Sequence, residues 1–173
     1  MTNRRLVPAR AALVAFVALI LQVSFVADLR IAGAIGDLLL VVVVAAGLTG
    51  GPDRGATYGF ALGVLYDLVL DTPFGLSALT YALVGYAVGL VGAALMRTSG
   101  WWPVLVAAAA AAMQAALYTS VANLIGVSYP FGAVPGIAFA MAVAAAVLVL
   151  PALRVMWWVH GHNEPDRLEM MFR

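Results

Sequence analysis

The chain has 173 residues, 65% hydrophobic and 10% charged, with a mean hydropathy of +1.04. Soluble domains are roughly half apolar and about a quarter charged, so this composition excludes a soluble domain and marks a membrane protein. A net charge of +1 without a basic tract gives no sign of nucleic-acid binding, and the absence of cysteine excludes disulfides, thiolate nucleophiles and cysteine metal sites.

At ~20 residues per span plus short loops, this length accommodates about six spans and leaves nothing over for a soluble domain. A single transmembrane domain over 1–173 is expected, with a short polar tail at about 160–173. The first span is expected at about 11–27. It follows Arg4 and Arg5 as a signal peptide would, yet no cleavage site precedes Asp28, so it reads as a retained span. The second, about 35–48, contains DLLLVVVVAAGL and is short for a bilayer. Asp37 reads as its helix-start acid. The turn TGGPDRG leads to a third span at about 55–70, and DTPFG turns the chain into a fourth at about 76–96. The fifth, about 101–125, begins at Trp101 and Trp102. The sixth, about 137–159, contains Pro151, a position that favours a kink.

Arginine placement orients this arrangement. Arg4, Arg5, Arg10, Arg54, Arg97, Arg154, Arg167 and Arg173 fall on one side of a six-span bundle, and Arg30 alone falls on the other. Cytoplasmic loops carry the positive excess, so both termini are expected in the cytoplasm. Trp101, Trp102, Trp157 and Trp158 then lie at the same interface, where indoles are favoured.

Residues 58–89 concentrate glycine and carboxylate inside this apolar chain. Gly55, Gly59 and Gly63 recur every four residues, and Asp67 and Asp71 continue the spacing. On a helix this makes a groove of bare backbone ending in two acids. The fourth span offers Ala78, Ala82, Gly85 and Gly89, with Gly92 close behind. Helices in lipid associate through close packing of small residues and through polar contacts. Two readings follow: the third and fourth spans pack on each other as an antiparallel hairpin, or a glycine face receives a helix from another protein.

Asp67 lies ~18 Å along its helix from Gly55, inside the ~30 Å hydrocarbon layer. A carboxylate there must face the bundle interior, pair or be protonated. It reads either as a structural acid bonding amides or hydroxyls near the turn, or as part of a docking site or ion pathway. Tyr81, Tyr86, Gln114, Tyr118 and Thr119 are its candidate partners. Gln114 and Tyr118, one turn apart, and Asn123 suit interhelical bonding more than ligand contact. His160 and His162, with Glu164 and Asp166, lack metal-site spacing and enclosure. No acid–base or nucleophile triad is present, no phosphate loop, and no lysine. Neither an enzyme nor a cofactor is expected.

The stretch GVLYDLVLDTPFGLSALTYALVGY, with Gly63, Asp67, Gly75, Ala78, Leu79 and Tyr86, preceded by GDLLL, resembles the rod shape-determining protein MreD family of bacterial inner-membrane proteins. Asp71 stands where such proteins usually carry a small residue. The resemblance implies a noncatalytic subunit of the cell-wall elongation machinery, working with the bitopic MreC protein, the actin-like MreB filament and the peptidoglycan synthase pair. It also implies a fold similar to the substrate-binding S components of energy-coupling factor vitamin transporters.

The resulting expectation is an all-α integral membrane bundle of six transmembrane helices that scaffolds a partner's single transmembrane helix. Gly59, Gly63, Gly85 and Gly89 would give close helix approach, Asp67 an interior polar anchor, and Gly75 a backbone turn. The alternative is a vitamin-binding S component, with a pocket lined by Gln114, Tyr118, Asn123 and Tyr129. Ala11 and Ala15 would form its coupling face. An ion-coupled transporter using Asp67 lacks the further acids of a relay.

Overall fold

The computed structural model describes residues 6–26, 30–31, 34–35, 37–69, 73–95, 101–127, 132 and 134–160. Among these residues six helices carry the fold: α1 (Leu6–Leu21), α2 (Leu38–Gly50), α3 (Pro52–Val69), α4 (Leu76–Leu95), α5 (Trp102–Leu124) and α6 (Val134–His160). A π-turn, Gln22–Val26, prolongs α1. The departure from an all-helical chain among the described residues is a two-residue antiparallel ribbon. It pairs β1 (Arg30–Ile31) with β2 (Ala34–Ile35), Arg30 opposite Ile35.

The segment Val7–Ser24 and helices α4, α5 and α6 are long and apolar enough to cross a membrane. The other two helices differ for separate reasons. Helix α3 carries Asp53, Arg54 and Asp67. Helix α2 is apolar throughout but has only 13 residues, about 20 Å at ~1.5 Å per residue.

Helix α2 forms the centre of the molecule. Every residue of it from Leu39 to Leu48 is buried, and α1, α3, α4, α5 and α6 all touch it. A helix apolar around its whole circumference is a buried one. Because its walls are protein, its length need not match the bilayer. The hub is therefore α2, and the hairpin of residues 58–89, where glycine and carboxylate concentrate, is one wall around it.

The ends of α2 are fixed by local chemistry. Asp37 Oδ1 accepts from the Leu40 amide at 2.9 Å as an N-cap. At the other end Gly51, at φ 82°, donates its amide to the Gly47 carbonyl at 2.8 Å. That left-handed backbone favours glycine. Pro52 then opens α3, where a missing N–H leaves no helical bond unmade. The chain thus reverses with one residue between helices. Pro151 lies inside α6, which continues to His160.

Candidate functional site

The predicted glycine face of α3 is buried: Gly55, Gly59 and Gly63, with Leu62 and Asp67, are its buried positions. Their neighbours are backbone atoms of α4. A Cβ on Gly55 would overlap the carbonyl of Gly85, one on Gly59 the carbonyl of Tyr81, and one on Gly63 the backbone of Ala78. Contacts retreat along α4 as they advance along α3, so the two helices are antiparallel. Gly89 meets the backbone of Pro52, and Gly47 of α2 sits so close that a Cβ there would lie 2.8 Å from the Gly85 carbonyl oxygen. Three helices therefore converge on Gly47, Gly55 and Gly85. Both glycine faces are filled from within the chain.

Asp67 continues the same face at the far end of α3 and is 5% exposed. Its Oδ2 accepts from the amides of Gly75 at 2.8 Å and Ala78 at 3.3 Å, and its Oδ1 from that of Ser77 at 3.3 Å. These are first-turn amides of α4, which lack partners inside their own helix. Asp67 is thus an N-cap supplied by the neighbouring helix. Gly75, at φ 92°, makes the turn that brings the amides round. Asp71 lies outside the described residues.

Several side chains suggested as partners of Asp67 are engaged elsewhere. The Tyr81 hydroxyl donates to Asp37 Oδ2. Gln114 Nε2 donates to Thr80 Oγ1 at 2.9 Å, and Thr119 Oγ1 to the Ala115 carbonyl at 2.7 Å. Tyr86 is exposed on the outer face of α4.

The vitamin-binding alternative needs Gln114, Tyr118 and Asn123 to line a pocket. Gln114 is buried between α4 and α5, Asn123 Nδ2 donates to the Thr119 carbonyl at 2.8 Å, and Tyr118 is half-buried. Tyr129 lies outside the described residues. Among the described residues, the oxygen of the Gln114 amide and the Ser77 hydroxyl are buried without a hydrogen-bond partner. Among the described residues no group of three or more histidine, aspartate or glutamate side chains is placed to hold a metal. His162, Glu164 and Asp166 lie outside them.

A second polar cluster has a weaker signature in the sequence. Gln22, in the π-turn after α1, is 4% exposed, and its Oε1 accepts from the Leu38 amide at 2.8 Å. With Asp37 it satisfies two first-turn amides of α2, while Tyr81 reaches Asp37 from α4. The one available signal is a glutamine standing alone in an apolar run. The tyrosine is less visible, because an apolar helix gives no sign of where its hydroxyl points.

Comparison with known families decides what this architecture belongs to. The family model described as rod shape-determining protein MreD matches residues 3–156. The chain belongs to the MreD family. No curated protein and no solved structure matches it. The matched interval contains the glycine junction, both capping acids and all of α1 to α5. As a member of the MreD family the chain is a membrane protein with a role in determining rod shape.

Proposed function

We propose that this MreD family chain is a noncatalytic, multi-pass scaffold of the bacterial inner membrane, with both termini in the cytoplasm. In the cell-wall elongation complex it holds the transmembrane helix of an MreC-like bitopic partner. Through that partner it joins an MreB-like filament to the peptidoglycan synthase pair. The observation that carries this reading is the family match over residues 3–156. The one-sided distribution of arginines supports the orientation.

On this reading the partner helix sits away from the glycine faces. Gly59, Gly63, Gly85 and Gly89 are occupied by this chain's own helices, so they hold the scaffold together and the partner helix takes an outward, apolar face. Leu79, Leu83, Tyr86 and Leu90 on α4 make one such stripe, and Phe16 on α1 and Phe139 on α6 mark others. The test is photo-crosslinking in native membranes from single positions at Leu83, Tyr86, Phe16 and Phe139. Mass spectrometry should find a single-span partner on at least one face. Crosslinks confined to lipid, or copurification of a transporter ATPase pair, would sink the reading.

A further inference from the structure

The N-terminal end of α1 and the C-terminal end of α6 meet at one edge of the bundle. Arg10 Nη1 donates to the carbonyl of Trp158 at 3.1 Å, and the Arg10 guanidinium carbon lies 4.8 Å from the centre of the Trp158 ring. Arg154 is exposed one turn before Trp158 on the same face of α6. The indole, half exposed, carries the Arg10 guanidinium over its ring, and Arg154 stands one helical turn away. Among the described residues no carboxylate pairs with Arg10 or Arg154: Asp37 and Asp67 cap α2 and α4, and Asp53 opens α3. Arg10 uses one of its five N–H donors on Trp158, and the rest of the fork is available.

Below these charges the surface turns apolar. Leu150 and Val147 on α6 continue the line of Arg154 toward the middle of the helix, and Leu13 on α1 follows Arg10; all three are exposed. From the helix ends inward, this face runs from Arg10 and the Trp158 indole through Arg154 to the apolar stripe, which matches a phospholipid, whose headgroup lies at the depth favoured by tryptophan and whose chains run inward.

We propose that Arg10, Trp158 and Arg154 form a binding site for the headgroup of an anionic phospholipid. The phosphate accepts from both guanidinium groups, which suit it geometrically, and the acyl chains lie along Leu13, Val147 and Leu150. A net negative lipid is selected because two cations face the site with no carboxylate beside them among the described residues. A zwitterionic headgroup would bring its own amine to the same place. The apolar stripes distinguish a lipid from a soluble phosphate, which has nothing to set against them.

The experiment uses the full chain purified in detergent and exposed to equal amounts of phosphatidylglycerol and phosphatidylcholine, with bound lipid read by native mass spectrometry. The wild type should retain phosphatidylglycerol in preference. Arg154→Gln should weaken that retention about fivefold, the size of one arginine's contribution near an anionic surface. Arg154 is exposed and has no described partner, so the variant should keep its helix content and elution volume while losing lipid. Arg10→Lys should retain part of the preference, since it keeps the charge and loses the fork. Excess inorganic phosphate should leave the bound lipid in place. Equal retention of the two lipids, wild-type retention by Arg154→Gln, or displacement by inorganic phosphate would each overturn the proposal.

Discussion

The hydroxyl of Tyr81 donates to the carboxylate of Asp37 across 44 residues of chain, tying the wall helix α4 to the start of the central helix α2. Tyr81 is 2% exposed and among the largest fully packed side chains. Its ring lies 6.1 Å from that of Tyr66 on α3, so three helices are fixed at one point. Asp37 in turn holds the Leu40 amide, which makes this acid a joint between secondary and tertiary structure.

Tyr81→Phe keeps the ring and removes the donor. It should lower stability by about 1–3 kcal/mol, the range for leaving a buried polar group short of a partner. Asp37→Asn, which keeps an oxygen acceptor for the Leu40 amide and turns an NH2 donor toward the Tyr81 hydroxyl oxygen, should be milder than Asp37→Ala. Thermal unfolding in detergent, followed by size-exclusion chromatography, gives the order. Tyr81→Phe unfolding at the wild-type temperature would count against the joint.

Asp67 serves α4 as Asp37 serves α2, but from another helix. Asp67→Ala should cost about 1–3 kcal/mol, since three first-turn amides lose their acceptor. Asp67→Asn keeps a neutral acceptor and should fall between alanine and wild type. Because these amides lie beside the α3–α4 turn, the Ala variant should open that turn first, and limited proteolysis should show cleavage there before global unfolding. An unchanged digestion pattern would contradict the capping role.

How much of this was legible in the sequence depends on the kind of signal. The four-residue spacing of Gly55, Gly59, Gly63 and Asp67 marked a buried face because the period of a helix converts spacing directly into position. Helix positions were legible to within a few residues because proline, glycine and aspartate punctuate apolar runs. The central place of α2 was not. A chain that is apolar on every side gives the same pattern whether protein or lipid surrounds it, and only tertiary contacts distinguish the two. For Asp67 the reading as a structural acid bonding amides near the turn holds, but which amides was hidden for a related reason: every residue carries one. Tyr81 with Asp37 is a pairing of distant positions, which local periodicity does not encode.

The glycines should differ sharply when each is changed to alanine. Gly55, Gly59 and Gly63 face backbone that a Cβ would overlap, and backbone yields only if the helices separate. Each should lose about 1–3 kcal/mol, as overpacked cores do. At Gly92 the nearest atom is a Leu48 side-chain methyl at 3.3 Å, which gives by a small rotation, so the loss should be small. Gly136 in α6 faces open space, and alanine there should be neutral or stabilising. Membrane accumulation of a fluorescent fusion and its unfolding temperature should both follow that series. Gly63→Leu should fail by the same route, so lost partner copurification in that variant would report a broken scaffold. Equal tolerance at Gly63 and Gly136 would mean that α3 and α4 do not approach this closely.

Gln114 offers a case where removing a buried hydrogen bond should cost little. Its Nε2 donates to Thr80, but its Oε1 is buried without a partner among the described residues, so the amide is only half satisfied there. Thr80 Oγ1 also donates within its own helix to the Leu76 carbonyl at 3.0 Å. Replacing Gln114 by methionine, of similar length and without the orphaned oxygen, relieves one desolvation penalty while giving up one bond. Replacement of buried polar groups by apolar ones of like shape is often nearly neutral. Gln114→Met should therefore stay within about 1 kcal/mol of wild type, and adding Thr80→Val should change it little further. A loss as large as that of Tyr81→Phe would show that the amide oxygen has a bonding role, and would return Gln114 to the list of residues facing a bound molecule.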